Sequence, residues 1–338
     1  MRKLIIPIFL PEVACPGRCI FCDQRRISGQ SEVVAPTAVA EIIKKHLATN
    51  PCPGEVEVEV AFFGGTFTAM PPIMQEEYLQ AVQTFILRGE VGKIRVSTRP
   101  DRIEKKDMSR LRDYGVWLVE LGIQSLNDRV LEKAERGYNR IQVEQAVRVI
   151  QEANLAFGAQ LMPGLPESNT AIEIESTRTC AEWGAATARI YPTLVLKGTK
   201  LESWYQQDKY RPLSLEAAIE VCADMYQCFR EYNIPVIRVG LQASDDLQQP
   251  GTVVAGPWHP ALGELVQSRL WRRRLDQVIA EWQGESRLEV SVPIRQLSQA
   301  IGQHQANLSW LRHKYTADIR IIGSILLQSD QINVNNCD

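Results

Sequence analysis

Residues 4–22 read LIIPIFLPEVACPGRCIFC, a short apolar run followed closely by three cysteines. The run from Leu4 to Leu10 is too short to cross a membrane and contains Pro7, so it predicts a buried first strand. Cys15, Cys19 and Cys22 then lie on the loop at the carboxyl end of that strand. This is the edge at which parallel α/β folds bind their ligands.

Short apolar segments alternate along the chain with stretches of helical periodicity. The six apolar segments predict strands at residues 4–10, 58–63, 93–98, 116–123, 155–162 and 186–195. Apolar residues spaced three and four apart predict helices at 38–47, 73–87, 143–150 and 172–183. Strict alternation implies right-handed βαβ units and a parallel sheet. Periodicity alone leaves two architectures open, a partial barrel and a doubly wound sheet.

A smaller second unit follows the alternating region. A seventh helix and strand are predicted at 215–232 and 235–239, before a turn-rich segment at 244–260. We therefore divide the chain into a core of residues 1–245 and a C-terminal α/β extension of residues 246–338. In the extension the pattern predicts a helix at 262–282, helices on either side of His304, and strands at 288–292, 319–322 and 332–334.

Composition indicates a folded globular protein. The chain has 338 residues, of which 45% are hydrophobic and 23% charged, values that argue against disorder. A formal net charge of −2 gives no global positive field for nucleic acid. The N-terminal MRKLIIPIFL imitates a signal peptide, but cleavage after it would threaten the cysteines. We expect a soluble, cytoplasmic protein with no membrane partner.

Eight cysteines without a secretion signal indicate reduced thiols rather than disulfides. Five of them are scattered, and we expect them to pack as small hydrophobic residues. These are Cys52, Cys180, Cys222, Cys228 and Cys337.

The three clustered cysteines carry the chemistry. Thiolates are the soft ligands that iron–sulfur clusters prefer, and three of them leave one iron of a [4Fe–4S] cluster open. A cofactor with an amine and a carboxylate could chelate that iron. A zinc site is the structural alternative, but it normally needs a fourth ligand nearby.

The C-x3-C-x2-C spacing, with Phe21 before the last cysteine, resembles the signature of the radical S-adenosylmethionine superfamily. FFGGTFT at 62–68 resembles the glycine motif that meets the amino end of the cofactor in this family. The resemblance implies a partial (β/α)6 barrel, a [4Fe–4S] cluster and S-adenosylmethionine. It also implies that Gly64, Gly65 and Thr66 contact the cofactor, and we expect the two glycines to let backbone groups approach it closely.

Further cofactor contacts follow from similarity to the oxygen-independent coproporphyrinogen oxidases. The corresponding positions hold Ser97, Gln124, Arg136 and Gln160 in this chain. That family has acidic residues where Ser97 and Gln160 stand. Gln124 and Arg136 keep both residue type and mutual spacing. Without the family, Arg136 would be read as a solvated helix end.

Four strings resemble the radical domain of the Elongator catalytic subunit and its short bacterial relatives over residues 4–245. They are STRPD (97–101), VELGIQS (119–125), LMPGLP (161–166) and YPTLVLKGT (191–199). Elongator has a longer gap between its first two cysteines. We expect no acetyltransferase domain and therefore no acetyl transfer by this chain.

The resemblance implies that an external one-electron donor reduces the cluster and that cleavage of S-adenosylmethionine yields a 5′-deoxyadenosyl radical, which abstracts hydrogen from a substrate. Tyr191 and Lys197, towards the end of the sixth strand, are the candidate substrate-side residues. The run Arg269, Arg272, Arg273 and Arg274, with Trp271, could contact RNA, with a transfer RNA base as substrate. The competing interpretation makes these arginines a solvated face or ion pairs with Glu264 and Asp276, and makes His259 structural.

Two other functions stay open. The enzyme could act on a small molecule such as a tetrapyrrole, as the pattern of cofactor contacts suggests. The chain could also be a non-catalytic metal-binding scaffold. The sequence does not indicate an oligomeric state.

Overall fold

The computed structural model describes residues 2–11, 13–15, 19–23, 32–49, 56–282 and 287–336. Within these ranges the strands are β1 (Arg2–Leu10), β2 (Val56–Gly64), β3 (Lys93–Thr98), β4 (Val116–Gln124), β5 (Ala156–Leu161), β6 (Thr187–Ile190), β7 (Val195–Leu196), β8 (Val236–Val239), β9 (Val253–Ala255), β10 (Arg287–Pro293), β11 (Asp318–Ser324) and β12 (Asn333–Asn336).

The α-helices in the same ranges are α1 (Pro36–Ala48), α2 (Pro72–Leu87), α3 (Lys105–Asp113), α4 (Asp128–Lys133), α5 (Arg140–Glu152), α6 (Thr170–Glu182), α7 (Lys200–Gln206), α8 (Leu215–Glu231), α9 (Asp245–Gln248), α10 (Leu262–Ala280), α11 (Leu297–Ile301) and α12 (Ala306–Tyr315).

Seven parallel strands form the main sheet, in the order β1-β2-β3-β4-β5-β6-β8. A doubly wound sheet reverses its strand order at a switch point, and this sheet does not. It curls into a half-barrel, so the predicted partial barrel is confirmed. The predicted seventh strand, at 235–239, is β8 and forms one edge.

The main core lies between the strands and their covering helices. Ile6, Val60, Ile94 and Leu121 of successive strands are fully buried in it. Cys180 and Cys222 lie in the same core and Cys228 is also buried, as expected of unpaired thiols. Cys52 and Cys337 lie outside the described residues.

The predicted sixth strand, 186–195, is divided in the structure. β6 ends at Ile190, and the chain then leaves the sheet through Pro192, which has no backbone N–H to continue the ladder. Two residues of β7 pair with β9 instead. Four helices escaped prediction, α3, α4, α7 and α9. They have four to nine residues and too few apolar positions to show a period.

The C-terminal segment builds a second, smaller core. β10 pairs in parallel with β11 and antiparallel with β12. Helix α10 joins the two cores, because Leu262, Val266 and Leu270 pack in the main core while Trp271 and Leu275 pack in the second. The division at residue 245 stays a prediction. None of the described helices is long and apolar enough to span a membrane.

Candidate active site

A cavity of about 640 Å³ opens inside the half-barrel at the carboxyl ends of its strands. Its wall combines thiols, backbone at glycines, amides, guanidinium groups and aromatic rings. Twelve of the thirteen candidate residues line it: Cys15, Cys19, Phe21, Cys22, Gly64, Gly65, Thr66, Ser97, Gln124, Arg136, Gln160 and Tyr191.

Lys197, the thirteenth candidate, does not line the cavity. It follows β7, and its backbone N–H donates to the carbonyl of Thr252. Its side chain is exposed. The expectation that both Tyr191 and Lys197 face the pocket assumed that one strand continues through 186–195, whereas the chain leaves the sheet between them.

The glycine pair after β2 lets two segments of backbone meet. A Cβ on Gly65 would lie 2.4 Å from the carbonyl oxygen of Val13. Gly64 has φ of +106°, a conformation that side chains disfavour. Thr66 N–H donates to the same Val13 oxygen at 3.0 Å. These glycines therefore permit a close approach between β2 and the chain leading to Cys15, and both also line the cavity.

The cysteine-bearing segment is held from several sides. Cys15 Sγ lies 3.3 Å from Thr66 Oγ1, and Cys22 N–H bonds to the carbonyl of Cys19 in a turn. Leu201 N–H, at the start of α7, donates to the carbonyl of Ile20 at 2.8 Å. Cys19 and its two following residues are buried in a small apolar cluster.

Arg136 binds the sulfur of Cys19. Its Nη1 donates to Cys19 Sγ at 2.8 Å, its Nη2 to the carbonyl of Gly122 at 2.8 Å, and its Nε to Tyr138 Oη at 2.9 Å. Burial opposes the guanidinium charge, but Tyr138 and Cys19 outweigh it and hold the pKa of Arg136 above its ordinary value. Arg136 is therefore a buried cation in the cavity wall and not a solvated helix end.

Arg99, which sequence reasoning missed, is a second cation at the same sulfur. Its Nη1 lies 3.7 Å from Cys19 Sγ, and its Nη2 donates to the carbonyl of Arg136. Asp101 holds the guanidinium at 2.8 Å. The signal was present in the STRPD string, whose serine alone was selected.

A buried network of ion pairs crosses the inner face of the sheet. Arg95 on β3 bonds both Glu59 on β2 and Glu120 on β4, the latter at 2.9 Å. Glu120 also accepts from Arg189 Nε at 2.8 Å and from Ser97 Oγ at 3.1 Å. Ser97 therefore faces a carboxylate. Charged residues within apolar strands were the signal for this network.

Arg189 and Tyr191 form the cavity wall beyond this network. Arg189 Nη1 donates to Tyr191 Oη at 2.9 Å, and the guanidinium lies 4.8 Å from the ring centre of Phe63. Burial opposes the charge, but Tyr191 and Glu120 hold the pKa of Arg189 above its ordinary value. Tyr191 is thus fixed to a permanent cation.

The two glutamines meet across the ends of β4 and β5. Gln160 Nε2 donates to Gln124 Oε1 at 3.1 Å. Gln124 adopts φ of +68°, and its carbonyl accepts from Met162 N–H at 2.9 Å. This strained residue places two amides side by side on the cavity wall.

Glu173 of α6 holds the loop that follows β5. Glu173 Oε1 accepts from Gly164 N–H at 3.0 Å and from Ser168 Oγ at 2.5 Å, while Oε2 has no partner among the described residues. Burial raises the pKa of Glu173 to about 7, although these two donors oppose the rise. Tyr210 Oη donates to the carbonyl of Gly164 at 2.6 Å.

The basic run on α10 is used within the fold. Arg269 and Arg273 pair with acidic residues of α8, and Arg274 pairs with an acid before β12. The partners are Glu216, Glu220, Asp224 and Asp330. The interpretation of these arginines as ion-paired is therefore confirmed. The acids expected from the sequence were different ones, Glu264 and Asp276.

The other members of the run also make contacts within the fold. Arg272 stacks 5.0 Å from the ring centre of Trp310, and Trp271 is fully buried. His259 Nδ1 accepts from Ala261 N–H at 3.1 Å, a turn contact. A buried indole cannot stack on a base, so Trp271 does not provide the stacking surface considered from the sequence.

The donor set of the cavity fits an iron–sulfur cluster. Three thiols line one wall, and buried Arg136 lies beside one of them to stabilise a negatively charged sulfur. Among the described residues, no group of three or more His, Cys, Asp and Glu side chains is gathered closely enough to hold a metal ion. A cubane binds each cysteine through a different iron, so its ligands need not converge on one point.

Comparison with known protein families gives the cavity its context. The model of the radical SAM superfamily matches residues 11–174, and that of the Radical_SAM C-terminal domain matches residues 185–272. The chain belongs to the radical S-adenosylmethionine superfamily. Members of this superfamily are enzymes that use a [4Fe–4S] cluster and S-adenosylmethionine.

Two relatives within the superfamily are similar over most of the chain. An uncharacterized protein of Methanocaldococcus jannaschii is 28% identical over 75% of this chain and 78% of its own length. A tRNA uridine(34) acetyltransferase of Dehalococcoides mccartyi is 23% identical over 72% of this chain. The chain spans 62% of the length of that acetyltransferase and 48% of the one from Methanocaldococcus infernus.

A solved structure shares the fold of this superfamily member. The archaeal Elp3 of Methanocaldococcus infernus, with an N-terminal deletion, superposes with a TM-score of 0.63 at 20% identity. The match covers 81% of this chain and 63% of that one. The similarity to Elongator proteins expected from the sequence is confirmed.

Proposed function

We propose that the chain is a radical S-adenosylmethionine enzyme that abstracts a hydrogen atom from a transfer RNA base. One observation carries the active-site part of this proposal: three cysteines and a buried guanidinium line the same cavity as the amides of β4 and β5. The RNA part rests on the relatives, which include tRNA uridine(34) acetyltransferases.

In this proposal Cys15, Cys19 and Cys22 hold the cluster, and Arg136 stabilises the charge on the ligated sulfur of Cys19. When bound, the cluster and S-adenosylmethionine supply one-electron reductive cleavage of the sulfonium. The chain's own part is to bind, to orient and to exclude water. An external one-electron donor supplies the electron.

The remaining wall residues divide between cofactor and substrate. Gly64, Gly65, Thr66 and Phe21 lie beside the cysteines, and the paired amides of Gln124 and Gln160 offer donors and acceptors suited to a nucleoside. Ser97 lies against the Glu120 carboxylate nearby.

Tyr191 is proposed as the substrate-side residue. Its phenol is held by Arg189, and Phe63 and Phe9 provide an aromatic surface close to it, with ring centres 6.1 Å apart. Aromatic surfaces accept flat bases by stacking. Lys197 is not retained in a substrate-binding role, because it lies outside the cavity.

The test uses protein reconstituted with iron and sulfide without oxygen and reduced with dithionite. With tRNA transcribed from uridine triphosphate deuterated only on its base, the proposal expects 5′-deoxyadenosine that carries deuterium. Cys19→Ala should abolish its formation. Cys180→Ala, which changes a buried core thiol outside the cavity, is the matched control and should leave it intact.

The outcomes separate the competing functions. Formation of 5′-deoxyadenosine without deuterium, at a rate unaffected by tRNA, would overturn the RNA proposal and favour a small molecule such as a tetrapyrrole. Absence of 5′-deoxyadenosine from fully loaded protein would leave the scaffold role as the better interpretation.

A further inference from the structure

A second cavity, of about 450 Å³, lies beside the loop that follows β5. It shares no lining residue with the main cavity. Its wall comes from the end of α4, the loop after β5, helix α7 and the segment before α8, and includes Lys133, Glu167, Trp204, Lys209, Tyr210 and Arg211.

The charge of this second cavity is positive. Lys133, Lys209 and Arg211 are exposed on its wall, and none pairs with an acid among the described residues. Lys209 Nζ donates to the amide oxygen of Gln207 at 2.7 Å. The acidic member of the wall, Glu167, is engaged by Arg129 at 3.3 Å. The cavity therefore presents cations available to an anion.

The same wall carries aromatic surface. Trp204 is half-buried, with Lys200 Nζ 5.9 Å from its ring centre. Tyr210 is buried and fixed by its bond to Gly164, and burial chiefly, with Glu173, holds the pKa of its phenol above the ordinary value. An indole beside unpaired cations matches a base and its phosphate, which bind by stacking and by charge.

The cavity adjoins the active site. Gly164 and Leu165 form its wall, while Met162 of the same loop lines the main cavity. Lys133 precedes Arg136 by three residues. A chain of nucleotides held in the second cavity would therefore pass beside the opening of the half-barrel.

We propose that the cavity formed by Trp204, Lys133, Lys209 and Arg211 binds a nucleotide of single-stranded RNA next to the base on which the enzyme acts. This inference rests on the proposed function. It replaces the run on α10, whose arginines are paired, as the RNA contact of the chain.

The test measures binding of full-length protein to a fluorescein-labelled hexauridylate and to unmodified tRNA by anisotropy, over a range of salt concentrations. Lys209→Ala/Arg211→Ala should weaken both about tenfold and reduce the salt slope by about 1.4, since each of the two lost phosphate contacts on a single strand contributes about 0.7. Trp204→Ala should weaken binding about tenfold with the slope unchanged, and Trp204→Phe should restore most of it.

Lys105→Ala/Lys106→Ala is the matched control. Both are exposed cations in adjacent positions, on α3, and do not line either cavity. This pair should change affinity less than twofold. Equal losses in the two double variants, or no loss in Lys209→Ala/Arg211→Ala, would overturn the proposal.

Uridine monophosphate distinguishes a strand from a free nucleotide. If it binds as tightly as hexauridylate, the cavity is a mononucleotide site and the RNA inference is wrong. The binding assay needs no cluster or S-adenosylmethionine, so its failure is separate from failure of the radical reaction. Deuterium transfer from tRNA with unchanged binding in the variants would leave the proposed function standing and remove this inference.

Discussion

The guanidinium of Arg136 donates a 2.8 Å hydrogen bond to the sulfur of Cys19, although 117 positions separate the two residues in the chain. The bond joins the turn after α4 to the segment after β1, across the mouth of the half-barrel. It places a buried positive charge beside a sulfur that we propose as a cluster ligand.

Arg136→Met should reduce cluster retention. The variant leaves Cys19 Sγ without its nearest cationic donor, and loss of such partners typically costs 10–100-fold in metal affinity or activity. Iron and sulfide content after anaerobic gel filtration measures cluster retention, and the rate of 5′-deoxyadenosine formation measures activity. Arg140→Met, at an exposed arginine paired with Glu175, is the control. Equal iron content in both variants would contradict the assigned role.

Gly65→Ala should undock the cysteine segment from β2. The new Cβ would lie 2.4 Å from the Val13 oxygen, so backbone must move. We expect a loss of about 1–3 kcal/mol in the free energy of unfolding, measured by urea denaturation of the apoprotein, and poor cluster loading. Gly92→Ala, where the nearest atom is 3.6 Å away, should be close to wild type. A wild-type iron content in Gly65→Ala would show that the contact is dispensable.

Glu120→Gln should destabilise the half-barrel. It removes the charge that Arg95 and Arg189 share, and breaking a buried ion pair costs about 3–5 kcal/mol. The double variant Glu120→Gln/Arg189→Met should recover part of this loss, because one stranded cation is gone. Urea denaturation of the four apoproteins in the cycle measures the coupling. Strictly additive effects would mean that the two side chains do not interact.

Glu173→Gln should remove a pH dependence of stability. Because the pKa of Glu173 rises from 4.5 to about 7 on folding, the folded state holds its proton more tightly. The native protein is therefore penalised as pH rises from about 4.5 to about 7. The difference corresponds to about 3 kcal/mol. The unfolding free energies of the two proteins should diverge in favour of Glu173→Gln between pH 5 and pH 8. If the difference between the two unfolding free energies stays constant across that range, the pH dependence does not come from Glu173.

Arg269→Ala should lower stability without affecting RNA. The side chain is buried and bonds Glu216 and Glu220 of α8, so its loss should cost about 1 kcal/mol. Binding of hexauridylate should stay within twofold of wild type. A tenfold loss of RNA affinity with unchanged stability would indicate that the run on α10 contacts RNA.

Much of the fold was accessible from local pattern. The predicted strand at 93–98 coincides with β3, and those at 58–63 and 116–123 end within one residue of β2 and β4. Buried parallel strands are almost wholly apolar, which makes them conspicuous. Helix α3 was missed because its nine residues contain two apolar side chains, Met108 and Leu111, too few to reveal a period.

The functional site likewise has residues that the sequence predicted and residues that it did not. Cys15, Cys19 and Cys22 were predictable because thiols at short spacing are a local signal, and strand order then carries the other strand-end residues to the same edge. Lys197 was misplaced because a hydropathy pattern does not show that the chain leaves the sheet at Pro192. The STRPD string and the charged residues within apolar strands marked Arg99 and Arg189, but they were missed because no local pattern shows which distant groups they meet.

By itself the sequence determined the alternation of strands and helices, the parallel sheet and the thiol-bearing loop at its carboxyl edge, all of which follow from periodicity and spacing over a few residues. Tertiary structure alone decided which charges are free. Arg269 meets Glu220 across 49 positions, while Arg211, outwardly similar in sequence, meets no acid among the described residues. Which charged residues pair depends on which helices pack together. A pattern over a few consecutive residues does not show that packing.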